Sequence, residues 1–135
     1  MNQFLRDVLK GLQSTPKYLQ SKYFYDKNGD DLFQKIMHCD EYYLTNCELE
    51  IFSDQTSRIA DIIISEHRNF DVVELGPGDA LKSVYLLKEL LKKNALSTYF
   101  PVDISNNIID LLHKKLPEQL PNLIFMGLTV NILPC

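Results

Sequence analysis

Residues 71–83, DVVELGPGDALKS, constrain the fold more than any other stretch of the 135-residue chain. An apolar run, Val72-Val73-Glu74-Leu75, meets Gly76-Pro77-Gly78 and then a segment that reads as helix. Strand, glycine turn and helix in that order open a nucleotide-binding unit, but the order alone names no ligand. Periodicity extends the pattern to a strand over about 70–75, a helix over about 80–94, a strand over about 98–102, a helix over about 106–116 and a strand over about 123–126. Such alternation implies parallel strands joined by right-handed crossovers, hence an α/β fold. Ser105 is the expected N-cap of the helix that carries Ile108, Ile109, Leu111 and Leu112, and Pro117 and Pro121 are expected to bracket its exit.

The first 66 residues read as all-helical. Phe4, Leu5, Val8, Leu9 and Leu12 recur at helical spacing until Ser14-Thr15-Pro16 stops the pattern, which gives a short amphipathic helix. Residues 17–29 read as a structured loop whose Asn28-Gly29 turn leads into a helix at Asp30, with Leu32, Phe33, Ile36 and Met37 as its buried face. Thr45-Asn46-Cys47-Glu48 has the form of a capping box, predicting a third helix to about Ser65. Leu49, Phe52, Ile59, Ile62 and Ile63 would line its apolar side, and Asp54, Gln55, Arg58 and Asp61 its solvated one. The chain thus divides into a helical region, 1–68, and an α/β region, 69–135.

A hydrophobic content of 45% supports a folded core, and a net charge of −4 supplies no broad basic field for a nucleic-acid backbone. The three cysteines, Cys39, Cys47 and Cys135, form no CxxC pair and are expected to be reduced thiols in a cytoplasmic protein. Arg6, Asp7 and Lys10 interrupt the N-terminal apolar run, so no secretory signal is read there, and no apolar stretch approaches the ~20 residues of a membrane span. Three strands are few for a doubly wound sheet, which usually has five or more. The expectation is the N-terminal part of a longer protein, or a truncated relative that covers its exposed sheet edge by self-association.

A dinucleotide turn runs G-x-G-x-x-G, and here Ala80-Leu81 stands where the third glycine would fall. Asp79 adds a negative charge at the helix start, which a pyrophosphate would oppose. S-adenosylmethionine (SAM) carries no phosphate, and its sulfonium and ammonium groups welcome acids. Gly76 and Gly78 let the backbone pass close to such a ligand, Glu74 brings a carboxylate near it, and Asp103 at the end of the next strand is placed to accept both ribose hydroxyls. Taken singly, a G-x-G after a strand is more often a plain tight turn than a ligand site, Glu74 reads also as a surface charge and Asp103 as a helix cap. An acid on the ribose is also shared with NAD proteins.

Four blocks in one order, KYFYDKNGDDLFQKI, DEYYLTNCELEIF, VVELGPGDALKS and FPVDIS, resemble the SAM-dependent histidine-specific methyltransferase family. The resemblance implies N-terminal helices followed by a partial Rossmann-like, class I methyltransferase sheet, with SAM as cofactor and the amino group of an amino acid, histidine favoured, as acceptor. It also implies that region 1–68 contributes to the substrate pocket. Gly76 and Lys82 match the turn that holds the cofactor's amino-acid end, with Lys82 pairing the methionyl carboxylate, and Asp103 matches the ribose acid. Tyr42 matches a tyrosine that contacts the substrate and Tyr25 a second aromatic of the same pocket; the alternative for both is a packed ring with its hydroxyl on backbone. Asn131 and Ile132 stand where the family has an acidic-aromatic pair for adenine, and the Asn131 amide oxygen can still accept from the adenine amino group. The family's remaining strands and substrate-gripping residues fall after Cys135. His38, His67 and His113 lie in helical segments or at their ends, so no general base is identified. The competing functional reading is a non-catalytic binding or assembly module with a methyltransferase-like fold.

Overall fold

The structure, a computed structural model, describes residues 2–130. Its elements are α1 (Gln3–Gln13), a short 3-10 turn (Ser21–Phe24), α2 (Lys27–Met37), α3 (Leu44–Glu66), β1 (Phe70–Leu75), α4 (Ser83–Lys92), β2 (Leu96–Asp103), α5 (Asn106–Gln119) and β3 (Leu128–Thr129). The three strands form one parallel sheet in the order β1-β2-β3, which leaves β2 in the middle. This is the α/β architecture of a partial class I methyltransferase sheet.

Core formation follows from β2. Its central place buries Tyr99 and Pro101 completely, and Leu87 of α4 and Leu112 and Leu116 of α5 close over Tyr99 in one apolar cluster. Burial of each such leucine is worth about 1.5–3 kcal/mol. A second cluster joins Leu90 of α4 to Ala60 of α3 and to Ala95, so α4 is wedged between the sheet and the long helix. In β1 the alternation is clear: Phe70, Val72 and Glu74 are half-buried while Asp71, Val73 and Leu75 are exposed. The helices that follow β1 and β2 therefore cover one face of β1 and leave the other open.

Several sequence expectations shift. Helix α4 starts at Ser83 rather than near residue 80, because residues 79–82 belong to the turn. Helix α5 runs on through Pro117 to Gln119; a proline in the last turn forfeits one hydrogen bond, and Leu116 and Leu120 are buried on either side of it. The third strand is Leu128–Thr129, and the expected 123–126 segment contributes a single bridge, Tyr99 to Phe125.

The helical region departs further. Helix α2 begins at Lys27, where the Asp26 carboxylate caps the Gly29 amide at 2.8 Å, so Asn28-Gly29 is helix and not a turn. Its apolar side is not buried: Leu32, Phe33 and Ile36 are exposed, as are Phe4, Leu5, Leu9 and Leu12 of α1. The capping box also fails, since α3 starts at Leu44 with no side-chain cap, and Thr45 lies buried with its hydroxyl lacking a partner among the described residues. Along α3 the buried positions are Thr45, Thr56 and Ala60, whereas Ile62 is exposed. No helix among the described residues is long and apolar enough to cross a membrane.

Candidate functional site

Strand β1 ends at Leu75, and the chain turns at Gly76 and Gly78, both in the left-handed region with φ of +67° and +55°. L side chains are strained there, and the space where a Cβ would stand at either glycine is open. An open, side-chain-free cradle at the end of a parallel strand is where a ligand can meet backbone directly. The Gly76 amide donates to the Val102 carbonyl at 2.8 Å, which fixes the turn beside the end of β2, and Asp103 follows Val102 immediately. The glycine turn and Asp103, far apart along the chain, are thus neighbours across two paired strands.

Five side-chain contacts brace the turn. Asp79 accepts from the Leu81 amide at 3.1 Å and pairs with Lys115 of α5 at 3.1 Å, so its charge is partly neutralised by the protein itself. Ala80 takes a left-handed φ of 56° inside the core, and its amide donates to the Pro77 carbonyl at 3.0 Å. Glu74 is engaged within the protein: Ser83 donates to one of its carboxylate oxygens and the Tyr99 hydroxyl to the other, the latter at 2.6 Å. Burial first, and the bond to Glu74 second, raise the Tyr99 phenol far above its ordinary range, so Tyr99 is a fixed donor and no base. Lys82, expected to hold a carboxylate, is paired with Glu48 of α3.

Around Asp103, the Ser105 amide donates to one carboxylate oxygen, Oδ1, at 2.9 Å, and among the described residues no donor reaches Oδ2. Ser105 is the N-cap residue of α5, as expected, but its hydroxyl makes no cap bond. It donates instead to Asp30 of α2 at 2.6 Å. Tyr42 packs its ring edge-on against Phe33 with centroids 6.2 Å apart, while Tyr25 is exposed; neither hydroxyl bonds to protein among the described residues. Asn131 and Ile132 lie outside the described residues. His38 and His67 follow the last residues of α2 and α3, and His113 sits in α5 against Phe125.

Sequence reasoning missed Glu48, Asp30, Ser83, Tyr99 and Lys115. One signal was present for Tyr99, because a tyrosine inside a central strand needs an acceptor for its hydroxyl, and Glu74 lies on the neighbouring strand. Clefts of about 510 and 550 Å³ open at the other end of the sheet, around Leu96 and around Asn69–Lys93–Ala95, away from this turn. Among the described residues no group of three metal-ligating side chains gathers.

Comparison with known proteins identifies the family of the chain. A family model described as histidine-specific methyltransferase, SAM-dependent, matches residues 4–132. The histidine N-alpha-methyltransferase of Mycobacterium tuberculosis is 38% identical over 104 residues, covering 77% of this chain and 31% of the relative. Its namesake in Mycolicibacterium smegmatis is 36% identical over the same shares. An N-methyltransferase of Aspergillus flavus, imqF, is 30% identical over 115 residues, or 85% of this chain and 30% of the relative. The chain spans about a third of the length of these relatives. It belongs to the SAM-dependent, histidine-specific methyltransferase family.

Proposed function

We propose, from that membership, that the chain carries the cofactor-binding part of a SAM-dependent N-methyltransferase acting on the amino group of an amino acid, with histidine the favoured acceptor. The observation that carries the proposal is the pairing of the Gly76–Gly78 cradle with Asp103 at the ends of two adjacent parallel strands. In this reading Asp103 Oδ2 accepts from the ribose diol, Gly76 and Gly78 admit the cofactor's amino-acid end to the backbone, and Lys82 turns from Glu48 to the methionyl carboxylate. Asn131 and Ile132 take the adenine side. Region 1–68 contributes to the substrate pocket, with Tyr42 and Tyr25 directing the acceptor amine. The acceptor preference rests on the mycobacterial relatives, whose names specify histidine, and on the family description.

When bound, SAM supplies an electrophilic methyl group. The protein's task is then placement: an amine held in line with the carbon–sulfur bond needs little covalent assistance, and most of the acceleration comes from orientation. No general base is identified among the described residues, and the Tyr99 hydroxyl is committed as a donor to Glu74. Cys39 and Cys47 are free and exposed, which suits a reducing, cytoplasmic setting.

Calorimetric titration of S-adenosylhomocysteine, with NAD as comparator, tests the reading. Saturable binding that Asp103→Ala weakens at least about tenfold supports it, because two charge-assisted hydrogen bonds are lost. Binding of NAD alone overturns it.

A further inference from the structure

Helix α2 places no buried side chain in the core, yet it reaches the cofactor side of the sheet through one short bond. The Ser105 hydroxyl donates to Asp30 Oδ2 at 2.6 Å across 75 residues of sequence. Ser105 is itself buried, at 3% exposure, and its amide donates to Asp103 Oδ1 at 2.9 Å. The three residues therefore form a relay in which one end is an acid on the N-terminal helical region and the other is the acid at the end of β2. A hydroxyl shared with an ionised carboxylate is a strong bond, and it takes Ser105 away from the helix-capping role its position would otherwise give it.

We propose that Asp30 is a positioning residue for Asp103. By holding Ser105 it fixes the Asp103 carboxylate with Oδ1 occupied and Oδ2 turned outward for a ribose diol. This rests on reading Asp103 as the ribose acid. Asp30 touches no cofactor atom in this arrangement, and its influence is confined to the geometry of Asp103. It follows that ligands without ribose hydroxyls are indifferent to Asp30, whereas ligands with them are not.

The test is titration of S-adenosylhomocysteine and of its 2′,3′-dideoxyribose counterpart, the weaker ligand read by competition, into wild-type protein and variants. Asp30→Ala and Ser105→Ala are each expected to weaken S-adenosylhomocysteine about 5–10-fold, with no further loss when combined, and to leave the dideoxy compound within about twofold. Asp30→Asn keeps an acceptor oxygen and is expected to restore affinity to within about twofold of wild type. Equal weakening of both ligands would mean that the bond merely docks α2, and no weakening of either would remove the relay altogether. Should Asp30→Ala fail to fold, Ser105→Ala reads the same bond from its other end. Failure of wild type to bind S-adenosylhomocysteine overturns the cofactor reading itself; binding that Asp103→Ala destroys but Asp30→Ala spares overturns the positioning role alone.

Discussion

Helices α1 and α2 carry apolar residues at the same helical spacing as α4 and α5, but to opposite effect. Leu87, Leu90, Leu112 and Leu116 are no more than 2% exposed, while Leu5, Leu9, Leu12 and Leu32 are 41–58% exposed. The first set meets Tyr99, Ala60 and the β1–β2 sheet, and the second meets no covering face among the described residues. What ties α1 to the turn after it is mainly polar: buried Asp7 accepts from Gln3 and Tyr23 and pairs with Lys22, with one edge-on ring contact, Phe4 against Tyr23, beside it. An amphipathic pattern thus declares a face to be covered, and it does not say by what.

The sharpest way to break this comparison is to truncate leucines on both sides. Leu112→Ala is expected to cost about 2–5 kcal/mol in urea unfolding, and Leu9→Ala or Leu32→Ala within about 0.5 kcal/mol. Comparable costs would show that α1 and α2 have a covered face in solution. Next in size is Gly29→Ala. A Cβ at Gly29 would run into the Phe24 carbonyl, so the first turn of α2 must move, at a cost of about 1–3 kcal/mol, seen as lost amide protection in α2 with that of α5 unchanged.

A third expectation is a pH effect confined to α1. The hydrogen bonds from Lys22 and then Tyr23 draw the Asp7 carboxyl down from 3.8 to about 2. Its folded value is the lower one, so the stabilisation is complete above pH 4 and fades as pH falls towards 2. Protection factors of α1 amides, which divide out the pH dependence of intrinsic exchange, should fall as pH drops through that window and stay constant between pH 5 and 7, and Asp7→Asn should abolish the dependence. Smallest is Glu48→Gln. Glu48 and Lys82 are a third or more exposed, so unfolding stability should change by less than about 1 kcal/mol. Under the proposed function the same change should tighten S-adenosylhomocysteine binding slightly, by freeing Lys82.

What the sequence made legible was local. Strand β1 was bounded at 70–75 because alternation and a glycine turn delimit it within a few residues, and Gly76, Gly78 and Asp103 stood out because each sits at the end of such a strand. The rest depended on partners far along the chain. Thr45-x-x-Glu48 reads as a capping box in isolation, but Glu48 is engaged by a lysine 34 residues away. Glu74 reads as a carboxylate available to a cation until Tyr99, 25 residues on, and Ser83 occupy it. The position of Ser105 at the start of α5 is legible from local pattern, while the destination of its hydroxyl, 75 residues back, has no trace there.

The glycine turn is flanked by two ion pairs, Lys82 to Glu48 and Asp79 to Lys115, all four side chains at least one-fifth exposed. The apolar clusters beneath it have no such dependence on dissolved ions. At physiological ionic strength charges are screened over about 8 Å, and over about 3 Å in molar salt. Concentrated salt is therefore expected to weaken these two braces while the backbone bonds of the turn and the sheet below it hold, so the cradle loosens without the protein unfolding.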